Sequence, residues 1–428
     1  MSLRKNTLWN LAGSGLPLIA AVALIPYILQ RLGAESFGIL TLIWSLIGYF
    51  SLFDMGVGRA LTYELSKLRA IDNHTEISLT LKAGLILTLA AGIFGAVIVF
   101  ILAPYLATSW LKVSPVLQND ALLSFKIAAW GVIATTISSG LRGALEGLGY
   151  FASSNLNKIF LGFCMFVLPA VSIALHGNNL WTITLYLLAS RLVVAVAAAI
   201  QLRKHLGASA QGRVRERIKP LINYGIWVTV TGIVGPLMVY GDRFFVSAAV
   251  GAALLPLYSI PQEGLQRLLI IPAALCGALL PQLASLEPHQ AAASYKRNYK
   301  RVTVVMFGVC MLAAIFAYPA LAWWLSADFA NQALPIVLIL VVGIWLNSIT
   351  FVPYTLLHAR GNPRLTALFH LLELVLYALA LWWLSANYGL IGAALAWVGR
   401  VALDLILLHL AANKLIIAIH ENPQYIKN

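Results

Sequence analysis

Long apolar runs are the feature that most constrains this chain. About 20 consecutive apolar residues are needed for a helix to cross the hydrocarbon core of a bilayer. Twelve stretches meet that length: 8–30, 36–57, 80–103, 121–143, 153–175, 180–202, 222–248, 256–280, 302–325, 335–357, 366–386 and 390–412. Because backbone polar groups in lipid must be satisfied internally, runs of this length form helices. The sequence therefore predicts an all-α integral membrane protein with twelve transmembrane helices.

The composition supports a membrane protein over a soluble one. The 428 residues have a mean hydropathy of +0.86, and only 10% are charged, against about 25% in soluble domains. The net charge of +14 would suggest a nucleic-acid partner in a soluble protein. Here the basic residues lie in short loops between apolar runs, so we expect no nucleic-acid partner.

The distribution of basic residues predicts the orientation in the membrane. Of the 29 lysines and arginines, 22 fall in one set of segments, two in the opposite loops and five within the runs. Cytoplasmic loops carry the excess of lysine and arginine. We therefore expect both termini to be cytoplasmic. The first run resembles a signal peptide but continues to Leu29, so we interpret it as an uncleaved span.

An internal repeat divides the chain. Residues 33–42 (GAESFGILTL) align with 251–260 (GAALLPLYSI), residues 145–149 with 357–361, and Arg191 with Arg400. We expect two six-helix lobes, 1–202 and 221–428, joined by a cytoplasmic linker loop at 203–220. Copies with an even number of spans run in the same sense, as parallel repeats about an axis along the membrane normal.

Four charged residues interrupt the seventh and eighth runs: Asp242, Arg243, Glu263 and Arg267. A charge at the centre of a membrane helix costs about 2.5–3.5 kcal/mol on insertion scales, so such residues usually face a polar path or one another. Asp242 and Arg243 form either a cavity-facing group or a snorkelling pair. Glu263 and Arg267 have the i, i+4 spacing of a helical ion pair.

Other buried charges suggest two further roles. Lys126 and Arg191 have no acidic residue in their own runs, which would suit an anionic substrate head group. His370 and Glu373 share a helix face, as in a proton relay or a packing contact. Arg400 and Asp404 have the spacing of a structural ion pair.

No soluble-domain catalytic motif is present. The sequence contains no phosphate-binding loop, no HExxH and no GxSxG pattern. The predicted external loops are also short, so we expect a non-enzyme with no metal and no cofactor. Without a nucleotide site, transport would draw on a proton or sodium gradient. The candidate ion-coupling residues are Asp242, Glu263, His370 and Glu373.

Several motifs resemble bacterial polysaccharide-export flippases. Gly33 with Phe37-Gly38, Asp54-x-Gly56 and Ala60-x-Thr62 resemble the family's opening. Asp242-Arg243-Phe244-Phe245 with Gly251 and Tyr258 resembles its seventh and eighth spans. The likeness is to O-antigen-type flippases of the multidrug/oligosaccharidyl-lipid/polysaccharide exporter superfamily.

The resemblance implies a V-shaped, alternating-access transporter in the bacterial inner membrane. Its substrate would be an undecaprenyl-pyrophosphate-linked oligosaccharide, moved from the cytoplasmic to the periplasmic leaflet. Partners would be this lipid, the bilayer and polysaccharide polymerase or chain-length machinery. The resemblance implies a cationic cavity lined by Lys126, Arg191, Arg243 and Arg267, with Asp242 beside Arg243. The alternatives are a cation-coupled multidrug exporter (an antiporter) and a membrane glycan polymerase or ligase.

Overall fold

A computed structural model describes residues 3–50, 56–71, 73–206, 214–222, 237–238, 240–360 and 362–421. Every regular element in these ranges is helical. The first eight helices are α1 (Leu3–Leu32), α2 (Ala34–Phe50), α3 (Val57–Ala70), α4 (His74–Tyr105), α5 (Gln118–Gly147), α6 (Phe151–His176), α7 (Leu180–Leu206) and α8 (214–222). They are followed by α9 (Asp242–Val250), α10 (Pro256–Gln266), α11 (Ile270–Ser285), α12 (Pro288–Trp324), α13 (Ala327–Ala359) and α14 (Pro363–Glu421).

Seven helices of the described residues are long and apolar enough to cross a bilayer: His74–Trp110, Gln118–Gly147, Phe151–His176, Leu180–His205, His289–Trp324, Ala327–Ala359 and Arg364–Ile417. They coincide with eight of the twelve predicted runs, because the last helix contains two of them. Two shorter apolar helices, Ile19–Leu32 and Ala34–Leu46, lie in the first two runs. Most of the seventh run lies outside the described residues.

Helix α14 contains two of the predicted runs because it folds back on itself. Gly389 has φ 59° and ψ −135°, which interrupts the helix between those runs. A side chain at Gly392 would collide with the carbonyl group of Leu384. The chain thus reverses at a left-handed glycine, and α14 consists of two helical segments.

The eighth predicted run is also divided. Helix α10 ends at Gln266, a 3₁₀ turn covers Arg267–Leu269, and α11 begins at Ile270. Pro272 lies in the first turn of α11 and has no N–H to donate to the carbonyl four residues earlier. Pro272 therefore accounts for the 3₁₀ turn that precedes α11.

The chain forms two compact units. The first contains Met1–Gly241 with Gly251–Ala253, and the second contains Asp242–Val250 with Leu254–Asn428. In the first unit, the apolar face of α3 (Leu61, Leu65 and Leu68) is buried against α4, α5 and α7. The apolar face of this amphipathic helix therefore packs within the protein.

Part of the predicted linker is also helical. Helix α7 continues to Leu206, and α8 places Ile218 and Leu221 against the same apolar cluster as Leu202. The division of the chain into lobes at 203–220 stays a prediction.

Large apolar side chains cover the exterior of both units. Phe94 and Ile101 on α4, Ile315 and Phe316 on α12 and Leu379 on α14 are each more than half exposed. An exposed apolar surface of this extent is unfavourable in water and is typical of a surface that faces lipid.

Candidate functional site

Three of the four charged residues of the seventh and eighth runs, Asp242, Arg243 and Glu263, come together in the second unit. Gly251 has φ 90°, and a turn after it leads from α9 into α10. This hairpin places the start of α9, Asp242 and Arg243, beside α10. Both side chains are buried, with exposures of 1% and 2%.

Asp242 lies in a network of hydrogen bonds. Its Oδ2 accepts a bond of 2.8 Å from the Tyr258 hydroxyl and one of 2.9 Å from Nε2 of Gln262. The Tyr377 hydroxyl donates a longer bond of 3.4 Å from α14. These donors compensate part of the desolvation of the carboxylate. We call Asp242, Tyr258, Gln262 and Tyr377 the Asp242 network.

Arg243 is neutralised by Glu263. Its guanidinium lies 2.7 Å from a Glu263 carboxylate oxygen across the hairpin. The i, i+4 spacing had indicated Arg267 as the partner of Glu263. Arg267 instead begins the 3₁₀ turn and is exposed. Glu263 therefore pairs with Arg243 on α9 and not with Arg267.

A second group of polar side chains lies on the two segments of α14. His370, Glu373 and Asp404 each present one ligand atom, and these atoms lie within 4.8 Å of one another. His370 Nε2 is 3.7 Å from Asp404 Oδ1. Glu373 is fully buried, and its carboxyl group lies beside that of Asp404. We call these three residues the α14 triad.

The triad combines two of the sequence expectations. His370 and Glu373 are together, as their i, i+3 spacing predicted. Asp404 joins them from the following segment. Its carboxylate also interacts electrostatically with Arg400, the residue four positions earlier on the same segment. Two buried carboxyl groups this close cannot both be charged at low cost, so the triad is suited to bind a proton or another cation.

Tyr377 and Arg400 connect the two groups. The Tyr377 hydroxyl faces Asp242, and the Arg400 guanidinium lies 5.9 Å from the centre of the Tyr377 ring. With the Arg243–Glu263 ion pair and Arg400 included, the two groups contain four carboxylates and two guanidinium groups. The joined site therefore has more acidic than basic groups.

The other candidate cations lie in the first unit. Lys126 on α5 is half-buried, with its ammonium 5.5 Å from the centre of the Phe100 ring. Arg191 on α7 is also half-buried. Asp54, singled out from its motif, lies outside the described residues. Which of these charges line a cavity stays a prediction.

Sequence reasoning missed the uncharged members of the Asp242 network. Tyr258 had been noted only as part of a motif, and Gln262 and Tyr377 not at all. The i, i+4 spacing of Tyr258 and Gln262 was the available signal, because it places both groups on one face of a helix.

Apolar helices with a lipid-facing exterior and buried charges define a multi-pass membrane protein. Comparison with solved structures specifies the fold. A multidrug resistance MATE family transporter of the MOP superfamily matches in its inward-facing conformation with a TM-score of 0.78, 15% identity and coverage of 99% of this chain and 96% of that one. Its outward-facing conformation matches with a TM-score of 0.64, covering 97% and 95% at 15% identity. The chain has the MATE transporter fold.

Sequence comparison identifies the family to which the chain belongs. The family model described as "Polysaccharide biosynthesis protein" matches residues 3–287. A Shigella flexneri protein assigned to O-antigen transport is 30% identical over 412 residues, which are 95% of this chain and 97% of that protein. The chain belongs to the polysaccharide biosynthesis protein family.

Proposed function

We propose that this protein is a flippase. It moves undecaprenyl-pyrophosphate-linked oligosaccharide repeat units from the cytoplasmic to the periplasmic leaflet of the bacterial inner membrane. The observation that carries the proposal is the 30% identity, over nearly the full length of both chains, to the protein assigned to O-antigen transport. The MATE transporter fold supports a transport role on the same chain.

The proposed architecture has twelve spans in two six-helix lobes, related as parallel repeats and forming a V. Left-handed glycines support the repeat. Gly33 and Gly251 each precede the second helix of a lobe, and Gly177 and Gly389 each precede the last. Such halves alternate the access of a central site between the two sides. Both termini are cytoplasmic in this proposal.

The proposed process breaks and forms no covalent bond. The polyprenyl tail is already soluble in the bilayer, whereas the charged and hydroxylated head group is not. A polar path that opens laterally is sufficient to let the head group cross while the tail stays in lipid. We therefore propose a non-enzymatic role, with the chain-length and polymerase machinery acting on the product.

Lys126, Arg191, Arg243 and Arg267 are the proposed contacts for the pyrophosphate and acidic sugars. Arg243 binds Glu263 in the structure, so its charge becomes available to substrate only when that ion pair opens. Asp242 holds the neighbouring hydrogen-bond donors in place. Substrate binding and the rearrangement of α9 against α10 are coupled in this proposal.

The energy source is proposed to be a proton or sodium gradient. The excess of carboxylates in the joined site supports this, because a cation entering it would compensate buried negative charge. Glu373 and His370 in the α14 triad are the first candidates, followed by Asp242 and Glu263. Reconstituted protein should move the ion only when lipid-linked substrate is present.

The same carboxylate excess favours a second candidate function. A cation-coupled multidrug exporter would use acidic groups for cationic drugs. Deletion of the gene separates the two functions. Loss of a flippase removes the polymerised surface glycan while lipid-linked units accumulate in the inner leaflet. Loss of a drug exporter leaves the glycan intact and raises drug susceptibility, which would overturn our proposal.

A further inference from the structure

A groove on the outside of the first unit has the form of a binding site for a lipid chain. It lies between α4 and α5, has a volume of about 380 Å³ and is lined only by apolar side chains. Ala96 and Ala129, both buried, form its floor. Phe100, Ile101 and Trp130 are exposed and form its walls. Small residues between large ones create the concavity.

The groove is closed at one end by tight helix packing. Gly92 on α4 lies against Thr136 on α5, with no room for a side chain between them. One turn farther along each helix, a Cβ on Gly140 would lie 2.7 Å from the Thr88 side chain. An occupant can therefore extend along the groove only toward the Phe100 end.

Lys126 lies at that open end. It is one helical turn from Trp130 on the same face of α5, and its ammonium is over the Phe100 ring. No carboxylate forms an ion pair with it among the described residues. It lies eight residues, or about 12 Å, inside the start of α5. A cation at this depth favours a bound anion.

We propose that this groove binds the polyprenyl phosphate carrier of the substrate, with its phosphate at Lys126 and the adjoining part of its tail between Phe100 and Trp130. The inference rests on the proposed function, which supplies a lipid with an anionic head beside an apolar chain. Lys126 is complementary to the anionic phosphate, and the apolar groove is complementary to the tail. Lys126 and the groove lie next to each other, as the phosphate and the tail do in the lipid.

The direction of the groove adds a step to the transport cycle. In the proposed orientation, the connection between α4 and α5 is external, so Lys126 lies nearer the outer surface and the closed end nearer the membrane centre. A lipid of the outer leaflet has this polarity, with its head outward and its tail inward. The groove therefore holds the carrier after its head group has crossed.

Photolabelling tests the proposal directly. The protein is placed in phosphatidylcholine nanodiscs with undecaprenyl phosphate that carries a diazirine near the phosphate, and labelled peptides are mapped by mass spectrometry. We expect labels on residues 93–101 and 129–133. Unlabelled undecaprenyl phosphate should remove them, whereas the same amount of phosphatidylglycerol should not. Equal competition by phosphatidylglycerol would overturn the proposal, because ordinary lipid would then fill the groove.

Two variants refine the test. Lys126→Gln should lower labelling about tenfold, the effect of losing a charge-assisted contact to phosphate. Val97→Trp should fill the groove from an exposed position, and Val305→Trp on α12, equally exposed but outside the groove, is its control. If neither Lys126→Gln nor Val97→Trp changes the labelling, the proposed site is wrong.

A flipping assay separates this failure from that of the proposed function. If the wild-type protein moves lipid-linked oligosaccharide but the groove is not labelled, only the groove assignment is wrong. If it moves none, the proposed function is wrong as well.

Discussion

Arg243 is the residue on which the electrostatics of the second unit depend. It is almost fully buried, and it forms an ion pair with Glu263 across the α9–α10 turn. The Glu263 side chain is 29% exposed, so water can still reach its carboxylate when Arg243 is removed. In the proposed cycle, the same guanidinium binds the pyrophosphate after the pair opens. Its stabilising and transport roles can be separated with a compensating variant.

Arg243→Ala should abolish transport without lowering the amount of protein in the membrane, and Arg243→Lys should retain part of it. The lysine keeps the charge but not the planar fork that binds carboxylate and phosphate. Membrane levels and substrate movement are measured together. Arg297→Ala, an exposed arginine on α12, is the control.

A double variant decides between the two roles of Arg243. If the residue only neutralises Glu263, Arg243→Ala with Glu263→Gln should regain wild-type transport. If Arg243 also contacts substrate, the double variant should be stable but inactive. Wild-type transport by Arg243→Ala alone would contradict both roles.

Glu373 is the residue best placed to test ion coupling. It is fully buried, and its carboxyl group lies beside that of Asp404. Glu373→Gln removes the charge while keeping the shape, so the variant should fold but no longer couple ion movement to substrate. Ion flux in liposomes is the measurement. Glu216→Gln, at an exposed position on α8, is the control. Unchanged coupled flux would exclude Glu373 from this role.

Sequence patterns identified the charges of the site but not all of their partners. His370 and Glu373 lie on one helix, so their spacing was enough to bring them together. The pairing of Arg243 with Glu263 depends on how the α9–α10 turn folds, and the spacing of Glu263 and Arg267 suggested otherwise. Asp404 reaches the triad only because α14 reverses at Gly389. Spacing along one helix therefore predicted that His370 and Glu373 are neighbours, whereas the contacts that depend on a turn could not be predicted.

At the scale of the helices, close packing depends on glycines at particular positions. A side chain at Gly143 on α5 would collide with the backbone of Gly58 at the start of α3. The Thr62 hydroxyl also donates a 3.0 Å hydrogen bond to the Gly143 carbonyl. Small residues let helices approach closely enough for such contacts in membranes.

Gly143→Ala should therefore destabilise the first unit, since its methyl group would separate α3 from α5. Gly131→Ala on the same helix is a matched control, because no described atom lies within 4 Å of its added Cβ. Alanine there should be neutral or stabilising by up to about 1 kcal/mol. Thermal unfolding in detergent measures both variants. Equal stability of the two proteins would contradict the α3–α5 packing described above.

At the scale of the whole molecule, the apolar runs were a reliable guide to the class of fold. Eight of the twelve runs coincide with spanning helices, and two more contain shorter apolar helices. Length and hydropathy suffice for this because lipid leaves few alternatives to a helix. The twofold repeat stays a prediction, since it depends on a few matching positions such as Gly33 and Gly251.

The proposed topology can be tested with reporter fusions. Fusions after Ser209 and Ser294 should report a cytoplasmic location, and fusions after Ala253 and Asn331 an external one. The reason is the excess of basic residues in the segments around the first two positions. An alkaline phosphatase reporter, which is active only outside the cytoplasm, distinguishes the outcomes. Activity of the Ser209 fusion would overturn the predicted number of spans.

The most direct measurement of the central claim is leaflet exchange by the purified protein. Liposomes are prepared with undecaprenyl-pyrophosphate-linked oligosaccharide, and an externally added glycosidase reports how much of it lies in the outer leaflet. Without protein, the glycosidase should cleave only the outer fraction. With the wild-type protein and an ion gradient, cleavage should proceed to the inner fraction. Cleavage that stops at the same level with and without the protein, under every gradient tested, would contradict the account.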